Sequence, residues 1–389
     1  MLIQYLIIGV IYFLRIVLRS FYIIPIDKRK ILFSSYEGKQ YACSPKYIFE
    51  YIIKHYVNNF IYIWSVNEHN ILPNEYRSIK TVKYLSFGYL FHALTAGYVV
   101  NNAAVKPYLP FRKNQVIVNT WHGGGAYKKV TTDTPIYKNN IVSMMVARKI
   151  TSMMVKYVIS SCERFTDVSS KVWAIQKEKF LPIGMPRNDI LFNIKNTVKR
   201  KVKGCFGLKE GEKIVLYAPT FRGNYRDSDI MDFSLDVSSL LMALNDKFCN
   251  DFLFLYRFHM YSKNITAIKN KNIISAYDYP DMQELLCATD ILITDYSSCI
   301  WDFSFTFKPC FIYAPDLKKY QEEQGFYTPT EEWPFPLAET NEQLVENIIN
   351  FNEVEYKNAV TKHHDYLGSY ENGTACEQLC RILFSTHNA

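Results

Sequence analysis

Two histidines stand where apolar runs of strand length come to an end. His122 follows VIVNTW and precedes three glycines, and His259 closes DFLFLYRFH. Imidazole titrates near neutrality, so a histidine at a strand end can act as a general base. Gly123 and the two glycines after it allow a main chain to come close to a ligand. Arg257 lies two residues before His259 and shares its side of an extended segment. A lone histidine is more often a satisfied structural residue. Two of them, one in each half of the chain and both at strand ends, favour chemistry.

A second set of residues is suited to phosphate. In DILITDYSSCIWDF the polar turn Asp295, Tyr296, Ser297, Ser298 follows a buried strand and opens a helix. Free N–H groups and the positive end of the dipole at a helix start attract anions, although a serine there can equally be a plain cap. LYAPTFRGN places Thr220 and Arg222 just past another strand, and LPIGMPRNDIL places Arg187, Asn188 and Asp189 before a short helix. The planar fork of arginine donates two parallel hydrogen bonds to phosphate oxygens.

Several chemistries lack their signatures. No GxxxxGKS or GxxxxGKT loop occurs, and no His/Cys cluster has metal-ligand spacing. Asp227-Ser228-Asp229 matches the DxD pattern of metal-dependent sugar transferases, but it follows a polar turn rather than a buried strand and is set aside. The net charge of +8 is not gathered into a tract of nucleic-acid-binding type. The nine cysteines include no CxxC and sit mostly in apolar runs, which predicts reduced, buried thiols.

The elements that must position these residues are legible as apolar runs alternating with amphipathic ones. Strands are expected at 31–34, 60–64, 98–101, 115–119, 157–160 and 180–183. After a polar stretch at 193–213 they resume at 214–218, 252–258, 272–276, 291–294 and 310–313. Continuous apolar strands separated by helices imply parallel sheets covered on both faces. A chain of 389 residues suits two such domains. We divide it into a first Rossmann-like domain at 25–195 and a second at 196–389, whose last helix can pack back on the first. A linker is expected near 193–212. Open sheets of this kind bind ligands beyond the carboxyl ends of their strands.

The amino terminus, MLIQYLIIGVIYFLRIVLRSFYII, is apolar apart from Gln4, Arg15, Arg19 and Ser20. The spacing of Gln4, Arg15 and Arg19 aligns them in one polar stripe along a helix. Positive charge follows the apolar run instead of preceding it, unlike a signal peptide, and two arginines leave too few apolar residues for a full span. Residues 1–24 are therefore expected to form a helix lying in a membrane interface. Arg15, Arg19 and the following Lys28, Arg29 and Lys30 would meet anionic headgroups.

Taken together, SSYEGKQYACSPKYIFEY, NTWHGGG, LPIGMPRND, LYAPTFR, RFH, DMQELLCATDILITDYSSCIWDF and APDLKKYQEEQGFY resemble the CDP-glycerol glycerophosphotransferases, the teichoic-acid polymerase and primase family. The resemblance runs from about Lys30 to the carboxyl terminus. It implies a GT-B architecture of two facing Rossmann-like domains, and often an amino-terminal membrane-binding helix. It also implies no prosthetic group, a CDP-polyol donor such as CDP-glycerol, and a lipid-linked or polymeric acceptor at the cytoplasmic face of the membrane. On that resemblance His122 takes the proton of the acceptor hydroxyl as it attacks the β-phosphate. His259, with Arg257, stabilises the pyrophosphate charge as CMP leaves. Thr220, Arg222, Asp295, Ser297 and Ser298 lie near the nucleotide and phosphates, with Arg187 and Asn188 assigned by position. Divalent-metal dependence and oligomeric state are not legible in the sequence.

Three positions depart from the family pattern: WHGGG stands for the usual WHGT, Gln324 for an arginine before GFY, and Cys43 for an acidic residue before Ser44-Pro45. They bear on the polyol and the acceptor more than on the fold. The competing readings are a GT-B glycosyltransferase that uses a nucleotide sugar, and an inactive membrane-bound scaffold.

Overall fold

Apolar runs too short for helices form the strands, and most of their residues are buried on both faces. A computed structural model describes residues 2–57, 59–68, 71–135, 141–220, 234–258 and 273–384. They divide into two units, one comprising Met1–Asp189 with Gly368–Ala389 and the other Ile190–Leu367.

The first unit holds β1 (Asp27–Ser34), β2 (Ile61–Val66), β3 (Lys80–Lys83), β4 (Ala96–Asn101), β5 (Val116–Asn119), β6 (Tyr157–Ser160) and β7 (Phe180–Pro182). Their order is β3-β2-β1-β4-β5-β6-β7, and every pair is parallel. Helices α1 (Leu2–Leu18), α2 (Cys43–His55), α3 (Phe87–Thr95), α4 (Ile141–Met154) and α5 (Glu163–Trp173) belong to this unit. Its core contains Phe33 stacked on Trp64 at 5.4 Å, with Phe49 edge-on to both; all three are fully buried. A short helix, α6 (Asp189–Phe192), begins where the first unit ends.

The second unit holds β8 (Lys213–Tyr217), β9 (Phe252–Tyr256), β10 (Ile273–Ser275), β11 (Ile291–Thr294), β12 (Cys310–Tyr313) and β13 (Leu337–Ala338). Their order is β10-β9-β8-β11-β12-β13, again parallel throughout. Helices α7 (Asn196–Cys205), α8 (Val237–Phe248), α9 (Met282–Ala288), α10 (Cys299–Ser304), α11 (Leu317–Glu323), α12 (Asn341–Ile349) and α13 (Glu353–Leu367) complete it. The last helix, α14 (Ala375–Phe384), is part of the first unit, where Phe384 packs on Phe60 at 4.5 Å and on Tyr98 at 5.3 Å. Each sheet changes winding direction at one place, between β1 and β4 and between β8 and β11. Such switch points open crevices at the strand carboxyl ends.

The structure corrects several sequence expectations. Strands β3 and β13 were not expected: KTVK buries only Val82, and β13 is two residues long, so neither carries a strong apolar signal. The stretch 193–212, expected as a linker, is half taken up by α7. Here Lys201 ion-pairs with Glu284 of α9 at 2.7 Å, and Lys203 donates to the Glu210 and Glu212 carbonyls. Seven of the nine cysteines are buried free thiols, whereas Cys205 and Cys249 are exposed.

The amino-terminal helix also sits differently. Two residues of its polar stripe face the protein: Gln4 Oε1 accepts from Val142 N–H at 3.2 Å, and Arg15 donates to the Pro107 and Leu109 carbonyls. Arg15 thus turns inward and is not presented to headgroups, while Arg19 is exposed. Lys30 is half-buried and donates to Thr95 Oγ1, so of the basic trio only Lys28 and Arg29 are exposed. The apolar side of the helix is outermost, with Ile3, Leu6, Phe13 and Ile16 each 65–75% exposed. Ile3–Ile23 is long and apolar enough to cross a membrane by length and composition.

Candidate active site

In the first unit three strand ends converge on His122. Strand β5 ends at Asn119, and Asn119 Oδ1 accepts the Trp121 N–H at 2.8 Å, which folds the chain back at once. Trp121 takes the left-handed region at φ 53°, a costly conformation for a bulky residue that its surroundings must hold. Its ring packs 4.2 Å from the His122 ring and 4.8 Å from Trp173 of α5. Gly125, at φ 72°, turns the chain again and donates its N–H to Ser161 Oγ. Gly123 lies half-exposed in the same loop, directly after His122.

Asn102, just past β4, fixes the imidazole. Its carbonyl oxygen is 2.8 Å from His122 Nδ1. A carbonyl can only accept, so Nδ1 carries the proton and Nε2 the lone pair. The Asn102 side chain is itself held, accepting the Tyr36 N–H past β1 at 2.8 Å and reaching Ser35 Oγ at 3.4 Å. Burial pushes the His122 pKa down from 6.5 to about 4; the Asn102 contact opposes this, and Arg187 and Lys128 push the same way as burial. At neutral pH the ring is therefore an uncharged acceptor of a proton. Asn102 and Tyr36 were not singled out from sequence. The available signal was their place at the ends of buried strands.

Arg187 and Asn188 prove to be tied into the first unit's own architecture. Both are buried, at 2% and 0% exposure. Arg187 Nη1 is 3.4 Å from Cys43 Sγ at the start of α2, where the resemblance leads one to expect an acidic residue. Asn188 Nδ2 donates to Glu371 Oε1, Met185 N–H donates to Glu371 Oε2, and Asp189 accepts the Ala375 and Cys376 N–H groups that begin α14. This turn is a latch for the returning chain. Arg187 still acts on the site electrostatically, through its effect on His122.

The second unit gathers its polar residues at its own switch point. Asp295 follows β11 and is 1% exposed; its Oδ1 accepts the Thr220 N–H at 2.7 Å and the Tyr296 N–H at 2.5 Å. The carboxylate thus ties the loop after β8 to the turn after β11. Ser297 and Ser298 are half-exposed at the start of α10, and Ser297 Oγ makes a long contact with the Cys299 N–H at 3.4 Å. Behind the turn, Tyr296 stacks on Tyr320 at 4.0 Å and donates to Asp316 at 3.1 Å. Arg257 lies half-buried past β9, with Nη1 donating to the Tyr279 carbonyl. His259, Arg222 and the DxD match at 227–229 lie outside the described residues.

Some of the DMQELL…DYSS signal is structural. Asp281 caps α9 by accepting the Gln283 and Glu284 N–H groups, and Gln283 Nε2 donates to Asp302 of α10 at 2.9 Å. Among the described residues no group of three or more His, Cys, Asp or Glu could hold a metal ion.

Comparison with known proteins draws these features together. A family model described as CDP-Glycerol:Poly(glycerophosphate) glycerophosphotransferase matches residues 16–385. The chain is 29% identical over 385 residues to the teichoic acid poly(glycerol phosphate) polymerase of Bacillus spizizenii, covering 95% of both proteins. It is 30% identical to the polymerase of the same description from Staphylococcus epidermidis, matching over 92% of its own length and about half of that protein, 51%. Among solved structures, the wall teichoic acid polymerase TagF superposes with a TM-score of 0.80 at 28% identity, over 93% of this chain and 90% of that one.

Proposed function

Since this chain belongs to the CDP-glycerol:poly(glycerophosphate) glycerophosphotransferase family, and so transfers glycerol phosphate from CDP-glycerol to a polymer, we propose that His122 is its general base. The observation that carries this reading is the contact between His122 Nδ1 and the Asn102 carbonyl at 2.8 Å, together with the low pKa. A neutral imidazole with its proton on Nδ1 offers Nε2 to the acceptor hydroxyl. That hydroxyl oxygen forms a bond to the β-phosphorus of CDP-glycerol, and its proton passes to Nε2. The bond from this phosphorus to the bridging oxygen breaks, and the electron pair leaves with CMP. Phosphoryl transfer of this kind asks chiefly for placement and charge neutralisation.

The second unit is our candidate for the donor side. Ser297 and Ser298 would approach the phosphates, Thr220 and Asp295 would shape the loop beneath them, and Arg257 would offset pyrophosphate charge. On the resemblance, Arg222 and His259 share that task. The acceptor we propose is a lipid-linked primer or a growing teichoic-acid or capsule-type polymer. We further place the protein at the cytoplasmic face of the membrane. The outward apolar side of α1 would sit among lipid, with Arg19, Lys28 and Arg29 near anionic headgroups.

The test is release of CMP from CDP-glycerol by the purified chain with a glycerol-phosphate acceptor, for the wild type and for His122→Ala. Loss of turnover in the variant supports the assignment, and wild-type turnover removes His122 from the mechanism.

A further inference from the structure

Strands β4 and β5 are joined by 102–115, which contains no helix or strand. Loops of this length without regular structure are uncommon, and their main-chain polar groups need outside partners. One end of the segment is Asn102, which holds His122. Farther along, its carbonyls are held by the amino-terminal helix. Arg15 Nη1 donates to Pro107 O at 2.6 Å and to Leu109 O at 2.9 Å, and Tyr22 Oη donates to Pro110 O at 2.7 Å. In return, Arg112 donates to Ile24 O at 2.9 Å, with its guanidinium 5.3 Å from the Tyr22 ring.

The two ends are joined by a continuous set of contacts. The turn gripped by Arg15 is closed by Leu109 N–H on Lys106 O at 3.1 Å. Lys106 pairs with Glu37 at 2.6 Å. Glu37 follows Tyr36, whose N–H is bound by Asn102 Oδ1, and the Asn102 carbonyl accepts the hydrogen bond from His122 Nδ1–H. Leu109 is fully buried, so its carbonyl could not turn to water if Arg15 were lost. Arg15 of the polar stripe is thus spent on this segment, while the apolar side of α1 faces outward.

We infer that Arg15 is a positioning residue for the catalytic base: the helix that presents the apolar surface also holds, through 102–112, the carbonyl that fixes the His122 tautomer. This rests on the reading of His122 as the base. It separates the two faces of α1 into different tasks, one toward lipid and one toward catalysis. Removing the helix would then cost turnover even where no membrane is needed.

The experiment uses the full chain, CDP-glycerol and a short water-soluble glycerol-phosphate oligomer as acceptor, without lipid. Arg15→Ala is expected to lower kcat about tenfold, with the KM for CDP-glycerol within about twofold of wild type. Its partition onto anionic phosphatidylglycerol vesicles should be unchanged. Imidazole nitrogen chemical shifts should show the Nδ1–H tautomer of His122 giving way to a mixture, and Arg15→Lys should recover part of the loss. The outer-face variant Phe13→Glu should do the reverse, losing vesicle binding while keeping kcat on the soluble acceptor. If Arg15→Ala does not fold, Tyr22→Phe removes a single donor and should show a smaller loss of kcat with the same tautomer signature. Wild-type kcat and tautomer in the foldable variant overturn the inference. If His122→Ala is also fully active, the assignment of the base falls with it; if His122→Ala is inactive, only the inference falls.

Discussion

The two switch points share one topology but are lined differently. In the first unit the crevice between β1 and β4 surrounds one imidazole with rings and main chain: Trp121 at 4.2 Å, Tyr36 at 5.9 Å and the Asn102 carbonyl at 2.8 Å. In the second unit the crevice between β8 and β11 has a buried carboxylate that spends itself on backbone N–H groups, while its serines stand half-exposed. On the proposed role of His122 as base, it needs a defined protonation state and tautomer, which burial and one directed hydrogen bond would supply. On the proposed donor role of the second crevice, phosphates need N–H groups held in shape, which the buried Asp295 carboxylate behind the loop would supply.

The sharpest way to break this comparison is to remove the imidazole. His122→Ala is expected to lower kcat by at least about 100-fold in a CMP-release assay. Asp295→Ala should act differently, because it leaves backbone donors buried without their acceptor. A stability loss of about 1–3 kcal/mol in urea unfolding and a higher KM for CDP-glycerol are expected, with unchanged stability contradicting the clamp role. Ser297→Ala should raise that KM by a few-fold, about 1 kcal/mol of lost binding, with kcat almost intact; a kcat effect as large as that of His122→Ala would erase the contrast between the units.

Two pH dependences sharpen it further. The pKa of His122 is lowered to about 4, so its neutral form persists well below the ordinary 6.5. The acid limb of kcat/KM attributable to this base in the free enzyme should lie below pH 6.5, and a limb at or above 6.5 would contradict the burial argument. In the second unit His363 and His364 are likewise lowered from 6.5 to about 4 by burial. His364 Nε2 lies 2.7 Å from Ser304 Oγ and its ring stacks on Phe305 at 4.3 Å. The unfolded chain takes up these protons first, so their contribution to stability is complete above pH 6.5 and falls as pH drops toward 4. Urea midpoints at pH 7 and pH 5 should differ, and His364→Gln should flatten the difference; an equal pH dependence in that variant would remove His364 as a cause.

What could be read from the chain follows the range of the physics involved. Strands such as VIVN and ILIT are apolar up to their last residue because parallel sheets bury both faces, and this composition is visible without a structure. KTVK was missed because an edge strand needs to bury only one residue, Val82. The polar run at 193–212 looked like a linker because α7 carries many lysines. Its fit to the fold depends on Glu284 and on the carbonyls of Glu210 and Glu212, partners that composition does not reveal.

The sequence alone therefore determined the two parallel-sheet units, the strand-end histidine His122 and the family signature, because burial patterns and strand-end residues are local properties of the chain. The tertiary structure decided which polar residues face a ligand and which face the protein. Asn188, expected at phosphate, donates to Glu371 of the returning chain, and Arg187 reaches Cys43 Sγ at the start of α2; Arg15, expected at lipid, grips two carbonyls. A guanidinium binds a phosphate oxygen and a carbonyl oxygen by the same donors, so its residue type cannot say which it meets. Only the packing of α2 beside Arg187, of Gly368–Ala389 beside Asn188 and of 102–112 beside Arg15 supplies that partner.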